Sequence, residues 1–204
     1  VLATGRFGLG WGEQAARLGV EVEVIDFGKQ SPIDPARAEA ALRADTEGRI
    51  KAVLVTHNET ATGVRSDIAA VRAAMDAAGH GLPRTYFDFR DMLATTKTGG
   101  FPYTPPVQLL YGLRTALDML NDEGLDAVYA RHARLAEGVR RAVAAWGLKV
   151  VAARPELQSE TVTAIYVPEG FDSNALVNHA FRAYGVSFGV GLGEMNGRAF
   201  RIGH

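Results

Sequence analysis

Three stretches hold most of the residue types that could do chemistry. The first is His57-Asn58-Glu59-Thr60-Ala61-Thr62-Gly63-Val64, an eight-residue mix of polar and small side chains. It follows directly on the apolar run Ala52-Val53-Leu54-Val55, so it reads as a loop at the carboxyl end of a buried parallel strand, where open α/β sheets bind ligands. On spacing alone it is equally an ordinary strand-to-helix turn, with Gly63 relieving the backbone. The second stretch, Thr4-Gly5-Arg6-Phe7-Gly8-Leu9-Gly10-Trp11-Gly12, has four glycines in nine residues. Such a loop invites a phosphate-cradle reading, but neither the dinucleotide fingerprint nor a Walker A lysine is present. The third is Arg201, within Phe200-Arg201-Ile202-Gly203-His204 and just after the flexible turn Gly189-Val190-Gly191-Leu192-Gly193. A guanidinium in an otherwise apolar strand needs a partner, and its planar fork suits a substrate carboxylate or a structural salt bridge. His132 falls on the apolar stripe of a helix, where a packed histidine is the ordinary case.

The totals narrow the ligand class. With 22 basic against 23 acidic residues and a formal net charge of −1, the chain has no electrostatic reason to bind nucleic acid or an anionic membrane. A small-molecule ligand is the expectation. Hydrophobic content of 47% over 204 residues supports one large domain or two small ones, and no apolar run approaches membrane-spanning length. The absence of cysteine excludes disulfides, thiolate catalysis and cysteine metal sites, and fits a reducing, cytoplasmic compartment. No signal peptide is visible. The chain starts without Met in a Gly-rich turn and stops at what reads as a strand end, so truncation at both ends is expected.

The elements that must position these residues follow from periodicity and punctuation. The Gly-rich stretch reads as a loop opening a helix through Ala15, Ala16 and Leu18. Val20, Val22 and Val24 alternate with Glu21 and Glu23, the period of a strand with one wet face. Asp34-Pro35 supplies the cap and first residue of a helix through Leu42. A strand over Ala52–Thr56 and a helix from about Asp67 to Ala78, capped by Ser66 or Asp67, complete an alternation that predicts a parallel sheet with right-handed crossovers. Phe101-Pro102-Tyr103-Thr104-Pro105-Pro106 reads as a stiff, extended connection. Leu109, Leu113, Leu117 and Leu120 predict a helix from Val107 to about Glu123, and a longer one runs from Leu125 to Trp146, ended by Gly147. The last third reads as strands at 149–152, 161–167, 186–188 and 199–202 around a helix over 173–184, a small α+β domain.

Taken together, Ala3-Thr4-Gly5-Arg6-Phe7-Gly8, the Thr60 loop and the Phe101-to-Pro106 segment resemble class V aminotransferases, and in particular their serine–glyoxylate and alanine–glyoxylate branch. The resemblance covers nearly the whole chain. It implies a fold-type I architecture, with a mostly parallel sheet in a large domain flanked by helices and a small α+β domain, divided here at residues 1–124 and 125–204. It also implies pyridoxal 5′-phosphate as cofactor, a small amino acid and the 2-oxo acid glyoxylate as substrates, and a homodimer. By position, Phe7 matches an aromatic residue that stacks on the cofactor ring, though core packing would equally explain it. Thr60 matches a residue beside the ring. Thr104 matches a threonine that binds the cofactor phosphate of the neighbouring subunit, although it could also cap the next helix; Phe101 stands where some relatives have a Tyr. Arg201 matches the arginine that grips the substrate α-carboxylate.

One departure bears on the chemistry. After Gly79-His80 the resembling enzymes continue through further strands and a loop bearing the Schiff-base lysine, whereas here Gly81-Leu82-Pro83-Arg84-Thr85-Tyr86-Phe87-Asp88 resembles family sequence well downstream. A block of several dozen residues is expected to be absent, on the order of a fraction of a domain. The catalytic lysine and the carboxylate facing the ring nitrogen therefore cannot be assigned; the lysines present are Lys29, Lys51, Lys97 and Lys149. Three readings stay open: a transaminase passing an amino group from serine or alanine to glyoxylate; another class V enzyme such as a cysteine desulfurase-like lyase, against which the absence of cysteine weighs; and a catalytically silent binding or interaction protein. An α/β domain for some other phosphorylated ligand is the plainest alternative.

Overall fold

The computed structural model describes residues 1–79 and 88–204, and the His80–Gly81 junction lies outside them. The chain forms two compact units, one built from residues 1–79 with 132–204 and the other from residues 88–131.

In the first unit, β1 (Leu2–Ala3) pairs in parallel with β2 (Ile25–Asp26), and Leu2 bridges in parallel to Val55 on its other side. Helices α1 (Arg6–Arg17), α2 (Pro35–Ala44) and α3 (Ile68–Ala77) accompany this short sheet. Asp34 caps α2 by accepting from the Ala36 amide, with Pro35 as first residue, and Asp67 caps α3 by accepting from Ala70. Leu2, Ile33, Ala38 and Val71 form the buried cluster between strands and helices, with Ile25, Phe27, Val53 and Val55 packed against it.

Three expected strands are absent or nearly so. Residues 186–188 are irregular, and the strand forms instead at Gly189–Val190, where a turn was expected. The other two lie beside the parallel pair. Residues 20–24 are irregular, and of 52–56 only Val55 makes a ladder contact. A strand is defined by its partner, and among the described residues neither 20–24 nor 52–56 has a ladder partner on its far side. The Gly-rich stretch, expected as a loop, is helical from Arg6 onward. Its glycines allow close packing: a Cβ on Gly8 would lie 2.8 Å from the Ala3 Cα, and one on Gly12 would lie 3.3 Å from Val24.

The segment 58–65 is an antiparallel hairpin of β3 (Asn58–Glu59) and β4 (Val64–Arg65). The remainder of the unit is an antiparallel sheet of order β5-β6-β8-β7, from β5 (Lys149–Val150), β6 (Val162–Tyr166), β7 (Gly189–Val190) and β8 (Ala199–Gly203). Ile165 and Phe200 pack with Val143 of α6 (Leu125–Ala145) and Val177 of α7 (Ser173–Tyr184). Ala164 and Ala199, one residue along each strand, pack with Val151 and Met195, as the two-residue period of a strand requires.

In the second unit, α4 (Phe89–Thr96) is capped by Asp88, and residues 101–106 are irregular, as the prolines dictate. They lead into α5 (Val107–Glu123), which has no buried residue and no side-chain cap. Among the described residues no helix is long and apolar enough to cross a membrane, and no cluster of His, Asp or Glu could hold a metal ion.

Candidate functional site

The first turn of α1, the β3–β4 hairpin and the β7–β8 edge meet in the first unit. Gly5 precedes α1 with φ of 154°, and no side chain next to it in sequence caps the helix. The cap comes from Glu59, fully buried, whose Oε2 accepts from the amides of Phe7 at 3.0 Å and Gly8 at 3.2 Å. Its Oε1 accepts from the Ala61 amide at 3.2 Å. A buried carboxylate with three amide donors satisfies part of the helix end's unpaired donors and replaces the water that it gave up.

Phe7 lies beside this junction and is 46% exposed, so core packing does not account for it. Thr60, half-buried, sits in the hairpin turn that Gly63, at φ of 73°, closes through its amide to the Glu59 carbonyl at 2.8 Å. The Thr60 carbonyl accepts from Arg201 Nη1 at 3.2 Å, and Arg201 Nε donates to the Val190 carbonyl at 2.9 Å. Arg201 has no salt bridge among the described residues. A guanidinium carries five N–H donors, so its remaining donors are open to a carboxylate. Structure and spacing thus bring Phe7, Thr60 and Arg201 together. Thr104 belongs to the other unit, where it is exposed, and the helix after it is capped by no side chain, so the capping role does not hold.

Sequence reasoning passed over two residues here. Glu59 gives no local sign of capping a helix 51 residues away. Thr4, fully buried at the end of β1 just before α1, has a hydroxyl with no hydrogen-bond partner among the described residues. Thr56 Oγ1 and Asn58 Oδ1, at the end of the neighbouring strand segment, are likewise buried without partners. An unpaired buried polar group costs about 1–3 kcal/mol, and native proteins concentrate such groups where a ligand or a further segment completes them. The signal for Thr4 was a small hydroxyl residue ahead of Gly at a strand's carboxyl end.

None of the lysines with a described partner is bonded to these residues. Lys29 pairs with Glu194, and Lys51 donates to the Gly48 carbonyl. Lys149 opens β5 beside a cavity of about 860 Å³ lined by Phe27, Tyr166 and Phe171, and Lys97 is exposed at the end of α4.

A second polar cluster sits at the end of β8. His204 Nδ1 donates to the Glu160 carbonyl at 3.0 Å, so in the neutral ring Nε2 accepts from the Thr163 hydroxyl at 2.9 Å. His132 Nδ1 donates to the His204 carbonyl at 3.1 Å. Burial pushes the His204 imidazole below its ordinary value, against the pull of the Glu160 carbonyl and with the help of the Arg140 charge.

The chain is similar over nearly its whole length to known proteins. It is 41% identical to an L-aspartate–glyoxylate aminotransferase of Paracoccus denitrificans, with 98% of this chain and 65% of the relative covered. It is 43% identical to a serine–glyoxylate aminotransferase of Hyphomicrobium methylovorum, with 98% and 64% covered. Among solved structures, a pyridoxamine–pyruvate aminotransferase from Mesorhizobium loti superposes with a TM-score of 0.79 at 30% identity, covering all of this chain and 66% of the other. An alanine–glyoxylate aminotransferase from Nostoc shares the fold, with a TM-score of 0.75 at 21% identity over all of this chain. No protein-family model matches the chain. The chain thus spans just under two thirds of the length of these relatives. The alignment to the first spans 259 positions while covering 98% of a 204-residue chain, so several dozen of its residues have no counterpart here.

Proposed function

Because this chain belongs to the class V aminotransferases, we propose that the whole protein is a pyridoxal-phosphate transaminase that passes an amino group from a small amino acid to glyoxylate. The observation that carries this reading is the Arg201 guanidinium held beside Thr60, with donors to spare, next to a helix end that presents Phe7. Serine and aspartate are the donors that the relatives' names support, and alanine is the further donor that the resemblance implies.

The residues present fit the phosphate end of the cofactor. The Thr4 hydroxyl is buried, lacks a partner, and stands at a helix N-terminus, a position that favours an anion. When bound, the cofactor supplies an electron sink for the bond to the amino-acid α-carbon. Thr4 and the first amide of α1 would hold its phosphate. Phe7 would cover one face of the ring, and Thr60 would stand beside it. Arg201 would take the carboxylate that the amino donor and glyoxylate both carry, so one fork serves both substrates. On the resemblance, the lysine amine and the carboxylate facing the ring nitrogen would fall in the part of the relatives that has no counterpart here, which supports a second reading for the 204 residues alone: binding without turnover.

The wider reading is a homodimer in which Thr104 reaches the neighbouring subunit's phosphate, with residues 1–124 in the large domain and 125–204 in the small one. Support comes from α5, whose Leu109, Tyr111 and Met119 are about 70% exposed. The cysteine-free composition supports a cytoplasmic setting.

The test is spectroscopic and kinetic. Full-length protein should bind pyridoxal phosphate covalently, trappable with borohydride, and should consume glyoxylate with serine, aspartate or alanine. Full-length protein that binds no cofactor overturns the reading. The 204-residue chain should bind the cofactor without a trappable bond.

A further inference from the structure

The cavity of about 860 Å³ beside β5 has no part in the roles above, and none of Phe7, Thr60 and Arg201 lines it. Three segments of the first unit build it: the loop after β2, the end of β6 with the loop that follows it as far as Phe171, and the residues that lead into β8. The strand register sets its floor. Lys149 of β5 stands directly opposite Tyr166 of β6, and Tyr166 directly opposite Ala199 of β8. Facing residues of antiparallel strands share one side of the sheet, with Cβ atoms about 5 Å apart, so the Lys149 ammonium stem starts beside the phenol. Ala199, small and fully buried, leaves the third place of that row low.

The lining suits an anion that carries a ring. Lys149 and Arg198 have no ion-pair partner among the described residues, whereas Lys29 is held by Glu194. Glu169 is the one carboxylate among the described lining residues, so the two open cations outnumber it. The Phe27 ring is already covered by the Arg37 guanidinium, 4.6 Å from its centroid. Phe171 has no such cover: it is 71% exposed, and with half-buried Tyr166 it offers apolar ring surface to whatever enters. The volume lies within the range of about 300–1,000 Å³ that small-molecule sites occupy.

We propose that this cavity is a second ligand site, which takes a nucleoside monophosphate: the base against Phe171 and Tyr166, the phosphate between Lys149 and Arg198, and the sugar hydroxyls toward Glu169. A phosphate dianion matches two open cations, one a planar fork and the other a point charge. A carboxylate only accepts hydrogen bonds, which fits hydroxyl donors and sets the sugar apart from the phosphate. Stacking on a ring tolerates any base, so the lining selects the class of ligand and not the base.

The experiment is a calorimetric titration of the 204-residue chain with adenosine monophosphate, adenosine and inorganic phosphate. Adenosine monophosphate should bind about tenfold or more tighter than either fragment, because only the whole ligand reaches both the rings and the cations in one binding event. Added salt should weaken it. Lys149→Ala and Arg198→Ala should each weaken it by about three- to tenfold, the range of a charged contact that is partly screened by solvent. Phe171→Ala should weaken the nucleotide by about fivefold or more and leave inorganic phosphate unchanged. All three side chains are exposed, so the variants should melt with the wild type. Arg201→Leu should not change the nucleotide's affinity. A nucleotide that binds no tighter than phosphate, or that survives all three alanine substitutions, overturns the proposal. A nucleotide lost with Arg201 instead belongs at the Thr60 turn and overturns it as well. None of these outcomes bears on the transaminase reading.

Discussion

Arg201 and Thr60, 141 residues apart, are joined by a hydrogen bond of 3.2 Å from the Arg201 Nη1 to the Thr60 carbonyl. With Nε also committed, to the Val190 carbonyl, the plane of the guanidinium is fixed by backbone alone. A fork held by carbonyls keeps its charge unneutralised, which is the condition for capturing a carboxylate.

Replacing Arg201 with Leu in the full-length protein should therefore weaken capture of the amino donor and of glyoxylate by about 2–5 kcal/mol, read as a loss in kcat/KM. Cofactor binding should persist. Arg201→Lys should recover little, because an ammonium cannot present two coplanar donors. Unchanged kcat/KM for both substrates would show that the fork does not touch them.

Gly5, just before α1, and Gly10, inside it, should respond with opposite signs. Gly5→Ala places a Cβ 2.8 Å from Glu59 at φ of 154° and should destabilise by about 1–3 kcal/mol. Gly10→Ala, inside the helix and meeting only the flexible Arg6 guanidinium at 3.5 Å, should stabilise by about 0.5–1 kcal/mol. Urea denaturation of both variants measures this, and equal shifts would contradict the Glu59 packing.

Thr4→Val removes a buried hydroxyl that has no partner. Without ligand the protein should melt at the same temperature or higher, because an unsatisfied group is replaced by an apolar one of similar shape. Affinity for inorganic phosphate should fall. A variant that loses stability and keeps its affinity would mean that the hydroxyl serves the apo fold.

His204 should make stability depend on pH. Its neutral ring is held by Glu160 and Thr163, with Arg140 and His132 close by, and burial keeps its value in the folded protein below 6.5. Between that lowered value and 6.5 the unfolded chain binds more protons, so stability should be full above 6.5 and fall as pH drops below it. Urea midpoints from pH 8 to 5 in wild type and His204→Gln should converge at the acid end; parallel curves would assign the slope to other groups.

Helices were legible in the sequence because their signals are local. Asp34-Pro35 and Asp67 mark ends that the structure keeps, and the leucine spacing places α5 at Val107–Glu123. Strands were less so: Val22 and Val53 carry the right residue types, but a ladder depends on neighbours that no local pattern supplies. Of the candidate site, Phe7, Thr60 and Arg201 were legible, since they stand in recognisable stretches. Glu59 and Thr4 were not singled out, since the carboxylate's partners lie across the fold and the hydroxyl is notable only for lacking one.

The hairpin over 58–65 is tied down by the far end of the chain: the Ser159 amide donates to the Gly63 carbonyl at 2.9 Å, and Val64 bridges to Gln158. During synthesis that partner emerges roughly 100 residues after the hairpin, at some seconds' delay at typical translation rates. Until then Thr60 belongs to a turn with one side open, and Arg201 does not yet exist to hold it. The Thr60 turn is thus among the last parts of this unit to close, and on the function proposed above a nascent chain would engage a small molecule there only after translation has passed β8.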